Sequence, residues 1–206
     1  MMLHDLTLSA KESSWRLFTV RKADPAFLAF QDKVFKRDDH TCQYCGFRAE
    51  ELLEVVNLDG NFRNNRMDNL LTACPLCAQC FFLEAIGKSD FGGGSLVYLP
   101  EMTQGELNAL SHVLFASLVS GNSYSAQAKN IYRSLRLRSQ AVEQKLGEGM
   151  SNPALYGQLL IDAAHERKEQ VNAELSQQLR VLPQLSRFVP QVEQWQTSGL
   201  NALNFA

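Results

Sequence analysis

Two cysteine pairs decide the fold of this chain: Cys42-Gln43-Tyr44-Cys45-Gly46 and Cys74-Pro75-Leu76-Cys77. Two sulfurs in a Cys-x-x-Cys pair reach one ion when the backbone turns tightly, and Gly46 suits such a turn. Zn²⁺ takes four ligands tetrahedrally, so four thiolates close its coordination and leave no position for an activated water. The pairs therefore predict one structural zinc ion, bound by Cys42, Cys45, Cys74 and Cys77.

The spacing of the pairs leaves other interpretations open. Residues 46–73 separate them, a longer interval than the roughly 15–20 residues of the common zinc pattern. Buried, reduced cysteines without a metal are the main alternative, whereas a thioredoxin-like redox role is disfavoured because no βαβ frame surrounds the motifs. Cys80, the fifth cysteine, follows Cys77 closely enough to approach the site, but we expect a free buried thiol there.

Length and composition limit the class of protein. The 206 residues are 45% hydrophobic and 20% charged, which suits one or two globular domains. A formal net charge of −2 and a pI near 6.1 argue against a dedicated nucleic-acid-binding protein. The N-terminus lacks the features of a signal peptide, and no apolar stretch approaches the ~18 residues that span a bilayer. We expect a soluble cytoplasmic protein, in which paired cysteines bind metal more often than they form disulfides.

Local patterns in the first half of the chain mix strands and helices. Trp15–Val20 has the alternation and the β-branched residues of a short strand. Asp24-Pro25 is typical of a helix start, and the apolar spacing after it predicts an amphipathic helix. Leu52–Val56 is a predicted strand. Pro75 suits the first turn of a helix that continues to Ile86.

The second half of the chain is predicted to be mainly helical, which gives an α+β fold overall. Gly92-Gly93-Gly94 is a plausible boundary. It divides a zinc-binding region at residues 1–94 from a mostly helical region at residues 95–206. The helical region is expected to pack on the zinc-binding region, either as a second domain or as part of a single domain. The elements expected after the boundary are a strand at Ser95–Leu99 and helices that begin after Thr103, run from Ser125 to about Leu146, and run from Pro153 toward Arg180.

The order of elements around the cysteines is informative. A helix, the first cysteine pair, a strand, a polar loop, Asn69 and the second pair opening a helix follow one another. This order resembles the zinc-bearing branch of the HNH endonuclease fold, a ββα-metal arrangement. In that family, a His at the end of the strand is the general base, and a second His after the last Cys binds the catalytic metal. Asn57 and Ala78 stand at these positions, and neither side chain can replace His. The resemblance implies a nuclease scaffold without nuclease chemistry.

The histidines do not restore the missing chemistry. None of the four lies in the strand or the helix that would carry it; they are His4, His40, His112 and His165. His40 is close to the first cysteine pair, but we expect it to be exposed or hydrogen-bonded rather than a metal ligand.

Longer stretches of the chain resemble the IcmJ/DotN family of the Dot/Icm type IVB secretion systems of intracellular bacterial pathogens. They are Ser14–Phe18, Val20–Asp24, Thr41–Gln43, Glu54–Asn61 and Gln79–Glu84. The resemblance implies a non-catalytic adaptor subunit of the coupling complex, at the cytoplasmic face of the inner membrane without inserting into it. It also implies binding to the C-terminal extension of the coupling ATPase DotL, in a complex that carries the IcmS–IcmW adaptor and supports effector export.

In two alternative functions the protein binds a nucleic acid: it is an HNH-like nuclease with unusual residues, or a non-catalytic nucleic-acid-binding protein. The basic residues that could contact the nucleic acid are Lys33, Lys36 and Arg37 near the first cysteine pair, and Lys129, Arg133, Arg136, Arg138 and Lys145 on a predicted helix. Lys129, Arg133 and Arg136 share one helix face. We favour a solvated face or a docking surface for an acidic partner peptide. Aromatic residues that could contact a partner, although each is expected in the core, are Phe81, Phe82, Tyr98, Tyr132 and Trp195.

Overall fold

The computed structural model describes residues 3–165 and 177–204. Its helices are α1 (Ser14–Arg21), α2 (Pro25–Arg37), α3 (Pro75–Ala78), α4 (Gln104–Ser120), α5 (Ser125–Leu137), α6 (Ser139–Leu146), α7 (Pro153–His165) and α8 (Val189–Asn204). Its strands are β1 (Glu54–Asn57), β2 (Leu70–Ala73), β3 (Gly94–Tyr98) and β4 (Leu179–Pro183). This mixture of helices and small antiparallel sheets confirms the predicted α+β class.

Each sheet is one antiparallel pair of strands. β1 pairs with β2, with Val55 opposite Thr72, and β2 runs directly into α3. The strand–strand–helix order expected around the cysteines is therefore present. β3 pairs with β4, with Leu96 opposite Val181, which ties the middle of the chain to its C-terminal part.

The stretch Trp15–Val20, predicted as a strand, lies in α1, so that prediction is wrong. Phe18 and Arg21 are buried on one face of this helix. The ring of Phe18 lies 4.6 Å, centroid to centroid, from the ring of Phe82. Burying this face against the core outweighs the local β propensity of the segment, because a helix of these residues directs Phe18 and Arg21 inward together.

The helix predicted from Pro75 ends at Ala78 rather than at Ile86, and two 3-10 turns follow it. Phe82 lies between the turns with φ −139° and ψ 54°, outside the helical region. Its fully buried ring packs 4.8 Å from the ring of Phe62. Packing of this aromatic ring therefore decides the path of the chain after the second cysteine pair.

The helix predicted over Ser125–Leu146 is divided into α5 and α6 at Arg138. The Arg138 carbonyl accepts a hydrogen bond from the backbone N–H of Tyr98 on β3 (3.3 Å), and its guanidinium pairs with Glu101 (2.5 Å). The turn lets both helices contact the same strand. Periodicity alone did not show it, because the apolar phase continues through Arg138.

Among the described residues, the helix predicted from Pro153 toward Arg180 is present as α7. Residues 166–176, over which it was expected to continue, lie outside the described residues. Arg180 lies in β4 rather than in a helix, because pairing with β3 buries its neighbours Leu179 and Val181 completely. The amide side chain of Gln104 exchanges two hydrogen bonds with the backbone of Val181 (2.8 and 2.9 Å), which satisfies the outer edge of β4.

The main hydrophobic cluster surrounds the cysteine pairs. It contains residues from before and after the predicted boundary, among them Val56, Phe82, Leu107, Phe115 and Leu182. The boundary at Gly94 stays a prediction. Within residues 3–165 and 177–204, no helix is both long enough and apolar enough to cross a bilayer.

Candidate metal centre and the neighbouring polar site

The fold brings together the four cysteines that the sequence pairs predict as ligands. Their Sγ atoms all lie within 4.8 Å of one another, and all four residues are buried: Cys42, Cys45, Cys74 and Cys77. Such a distance is the size of the cage that four thiolates form around one metal ion. The described residues thus contain a buried four-sulfur cluster that can hold a metal ion such as zinc.

Local backbone geometry places each cysteine pair around the cluster. The N–H of Gly46 donates to the carbonyl of Cys42 (3.0 Å), and Gly46 has φ +76°, a conformation that glycine adopts without strain. Cys74 caps α3, and its carbonyl accepts from the N–H groups of Cys77 (3.0 Å) and Ala78 (2.8 Å). Both pairs are therefore tight turns that direct two sulfurs to one point.

The pKa values of the thiols change in opposite directions. Burial raises the pKa values of Cys74 and Cys77 well above the ordinary thiol range. Burial also opposes ionisation of Cys42, but hydrogen bonds from the other three thiols outweigh it and lower the pKa of Cys42. By themselves the sulfurs favour a thiolate at Cys42 and disfavour one at Cys74 and Cys77, and a bound divalent cation would favour the thiolate form of its ligands. The donor set fits a soft or borderline metal ion.

Two side chains of α4 contact the sulfurs, and the sequence patterns missed both. The Asn108 amide donates to the Sγ of Cys77 (3.2 Å) and to the carbonyl of Leu76 (3.2 Å). The Nε2 atom of His112 lies 3.2 Å from the Sγ of Cys74. Asn108 and His112 are one helical turn apart, so their i, i+4 spacing was the only signal available in the sequence.

His112 is held in place by two aromatic rings. Its imidazole stacks on Phe47 at 3.7 Å between ring centroids, and the edge of Trp195 from α8 lies 5.4 Å away. Burial lowers the pKa of His112 to about 4, so the imidazole is neutral at pH 7. A neutral ring beside Cys74 can donate one hydrogen bond to a sulfur, as residues around a metal centre commonly do.

Cys80 and His40 lie outside the cluster. The Cys80 thiol donates to the carbonyl of Leu76 (3.6 Å), and burial raises its pKa. It is a free buried thiol, as expected. The Nδ1 atom of His40 lies 3.7 Å from the carboxylate of Glu50.

Asn57, at the position of the general base in the HNH pattern, is completely buried and fully engaged. Its Oδ1 atom accepts from Nη1 of Arg21 (2.5 Å), and its Nδ2 atom donates to the carbonyls of Asn61 (3.0 Å) and Asn64 (2.8 Å). An amide with this geometry holds a loop in place and cannot accept a proton from water.

Arg21 occupies the space beside Asn57. Besides Asn57, its guanidinium donates to the carbonyl of Val55, and it lies 4.5 Å from the ring centre of Phe27 and 4.9 Å from that of Phe62. Burial lowers the pKa of Arg21 to about 10, so it remains charged at pH 7. A guanidinium cation at this place repels a second cation and occupies the space beside Asn57.

Asn69, the middle Asn of the motif, also has a structural role. Its Oδ1 atom accepts from the backbone N–H of Asp59 (3.0 Å), and its Nδ2 atom donates to the Asp59 carboxylate (2.9 Å) and to the carbonyl of Asn64 (2.8 Å). Burial is the largest single influence on the pKa of Asp59 and raises it, but the hydrogen bonds from Asn64, Asn61 and Asn69 together outweigh burial and lower this pKa. A carboxylate of low pKa is a poor general base.

Several other residues named from the sequence have partners or lie in the core. Arg37 binds Asp38 (2.8 Å) and the carbonyls of Met67 and Leu70 (2.6 Å each), so it supports β2 rather than a free basic surface. Phe82 is in the core, and the indole N–H of Trp195 donates to the carbonyl of Glu51 (3.0 Å).

An α+β fold with a buried four-cysteine cluster, next to a loop that Arg21 and Asn57 hold in place, defines a protein with a candidate metal site. The comparison with curated proteins gives the family. Over 97% of its length the chain is 48% identical to the type 4 apparatus protein DotN of Legionella pneumophila strain Philadelphia 1, of which the match covers 92%. The chain therefore belongs to the DotN/IcmJ family of the Dot/Icm secretion system, as the resemblance predicted. No protein-family model matches it.

Proposed function

We propose that this protein is a non-catalytic adaptor subunit of a type IVB coupling complex, in which it binds the C-terminal extension of the coupling ATPase DotL. The observation that carries this proposal is the state of the polar site: Arg21 and Asn57 hydrogen-bond each other where an HNH nuclease places its base and metal. Membership of a family of secretion apparatus proteins supports a structural role. In this proposal the complex also contains the IcmS–IcmW adaptor and supports effector export.

The proposal includes one structural Zn²⁺ ion held by Cys42, Cys45, Cys74 and Cys77. Four thiolate ligands close the coordination shell, so the ion would supply folding energy and no Lewis-acid chemistry. Binding of zinc to such sites contributes on the order of 10 kcal/mol to folding. It would fix the first cysteine pair to α3 and thereby to α4, which carries Asn108 and His112.

The binding of DotL is tested with the purified full-length protein and the C-terminal extension of DotL. We expect co-purification and saturable binding in calorimetry. The absence of any interaction, with a protein that melts cooperatively, would contradict the adaptor proposal. In this proposal the protein reaches the cytoplasmic face of the inner membrane through DotL, so its membrane association in cells should depend on DotL.

The same preparation tests the nuclease alternative. DNA incubated with the protein and Mg²⁺ or Mn²⁺ at low salt should remain intact. Cleavage that disappears with Asn57→Ala would overturn the non-catalytic assignment, because it would show Asn57 acting in the reaction rather than in the loop. A gel shift that weakens steeply with salt would instead indicate a nucleic-acid-binding protein.

The zinc site has a matched pair of variants. Cys74→Ser removes one sulfur of the cluster and should abolish stoichiometric zinc and leave the protein aggregated or partly unfolded. Cys80→Ser changes an equally buried thiol outside the cluster, and it should retain zinc, measured by plasma mass spectrometry. Equal zinc content and equal melting temperature for Cys74→Ser and the unmodified protein would overturn the assignment.

A further inference from the structure

Helix α5 carries a line of three cations that have no side-chain partner among the described residues. Lys129, Arg133 and Arg136, here called the basic stripe, lie at spacings of four and three residues and are exposed. They therefore follow one face of the helix over roughly 10 Å, at 1.5 Å per residue. α5 contains no acidic residue. Among the described residues, no hydrogen bond, ion pair or ring contact engages the three side chains.

The neighbouring cations are engaged, which sets the basic stripe apart. Arg138 pairs with Glu101 (2.5 Å) and Lys145 lies 5.0 Å above the ring centre of Tyr98. Arg180 donates to three backbone carbonyls, at 2.6 to 2.7 Å. Like charges held along one helix repel one another, so an unpaired row destabilises the free protein slightly and favours an anionic partner.

A cavity adjoins the basic stripe. Its volume is about 440 Å³, which lies within the range of ligand pockets, and its lining includes Arg136 and Tyr132 of α5. Leu182 at the end of β4, together with Leu185 and Val189, also lines it. The Tyr132 hydroxyl already donates to the carbonyl of Pro183 (2.9 Å), so the ring presents carbon atoms to the cavity. The cavity thus offers apolar side chains next to a cation, with Ser95, Gln184 and Ser186 as further polar lining.

We propose that the basic stripe and this cavity form one docking surface for an acidic protein segment. Carboxylates of the segment would pair with Lys129, Arg133 and Arg136, and an apolar side chain beside them would enter the cavity. This inference rests on the adaptor function proposed above and locates its binding surface. The ion pairs and the apolar contact lie at different places on this surface, so together they fix the position of the segment along it as well as its affinity. The charges steer the segment to the surface, and the buried side chain anchors it there.

A nucleic acid fits this surface less well. Three cations are few for a phosphate backbone, and the chain as a whole carries a net charge of −2. The apolar part of the cavity lining, formed by Leu182, Leu185 and Val189, gains nothing from contact with a phosphate, whereas a leucine or an aromatic side chain would be desolvated there. The arrangement therefore favours a peptide in which acidic and apolar residues are close together.

Charge reversal tests the stripe, with the C-terminal extension of DotL as the probe. The triple variant Lys129→Glu, Arg133→Glu, Arg136→Glu should weaken binding at least about tenfold at low salt, because three attractions become repulsions. The matched control is Arg16→Glu, Lys33→Glu, Lys36→Glu, which makes the same charge change at exposed cations of α1 and α2 and should bind normally. Circular dichroism melting of both variants checks that each is folded.

A second variant tests the cavity. Ser186 lines the cavity and is exposed, so Ser186→Trp should fill the space without disturbing the core and weaken binding severalfold with little change in salt dependence. If the unmodified protein binds the extension and both the stripe and the cavity variants bind equally well, the docking surface is refuted while the adaptor function stands. If the unmodified protein does not bind at all, the adaptor function is refuted, and this surface assignment with it. Loss of DNA binding in the stripe variant, with binding to DotL unchanged, would overturn the proposal in favour of a nucleic acid.

Discussion

Replacing Arg21 by Met is expected to destabilise the protein by about 3 kcal/mol. The substitution removes the donors for two buried acceptors, Oδ1 of Asn57 and the carbonyl of Val55, at about 2 kcal/mol each. It also removes the cation–π contacts with Phe27 and Phe62, about 1 kcal/mol together. Met offsets about 2 kcal/mol of this destabilisation, because it does not bury a charge and because its side chain makes apolar contacts.

The measurement is urea unfolding followed by fluorescence, with zinc at a fixed concentration for all variants. In a parallel thermal melt, the expected fall in melting temperature for a protein of this size is about 6–12 °C. Arg16→Met is the matched control, because Arg16 is an exposed residue of the same helix and should change the free energy of unfolding by less than about 0.5 kcal/mol.

One result would refute the reasoning about this site. If Arg21→Met unfolds within about 0.5 kcal/mol of the unmodified protein, the guanidinium does not hold the loop, and the closed polar site loses its physical basis. The pKa of Arg21, lowered to about 10 by burial, remains far above neutral pH, so the comparison holds across pH 6 to 8.

Three further predictions concern other parts of the fold. Burial raises the pKa of Glu84 to about 7, so above pH 4.5 the folded state binds more protons than the unfolded state and the free energy of unfolding falls as the pH rises toward 7. Glu84→Gln should remove this pH dependence and, after allowing for solvent screening, raise the free energy of unfolding by about 1 kcal/mol at pH 8. The control Glu148→Gln, at an exposed residue, should do neither. Gly157→Ala places a methyl group 2.4 Å from a backbone nitrogen and should cost about 2–3 kcal/mol in thermal unfolding, whereas Gly199→Ala in α8 meets nothing within 4 Å; equal melting temperatures would contradict this packing. His112→Phe keeps the ring stack but loses the contact with sulfur, so zinc affinity in a chelator competition should fall about tenfold, and an unchanged affinity would count against this role.

Short-range patterns predicted those features whose causes lie within a few residues. Asp24 caps α2 by accepting from the N–H of Ala26 (2.9 Å), as the Asp-Pro pair indicated. Thr103 and Glu106 form the complete capping box that opens α4. Each depends on side chains bonding to adjacent backbone, so a window of a few residues contains all the information.

Features that depend on distant contacts were missed or mistaken. The strand predicted over Trp15–Val20 is a helix because Phe18 packs against Phe82, far along the chain. β4 forms because it pairs with β3, a partner far away in the sequence. Its own residues contain no signal that distinguishes the strand from the helix predicted there. Local propensity is weak, about 1 kcal/mol or less per residue, and burial of one aromatic ring exceeds it.

The sequence by itself predicted which four cysteines lie together in the buried cluster, because Cys-x-x-Cys spacing and thiolate chemistry restrict what such pairs can do. It also determined that Asn57 and Ala78 cannot perform the proton transfer and metal binding of a nuclease. Only the tertiary structure decided how the cluster and the polar site are completed. In the folded protein His112 contacts Cys74 and Arg21 contacts Asn57. Local spacing does not predict such contacts, because they depend on how whole helices and strands pack together.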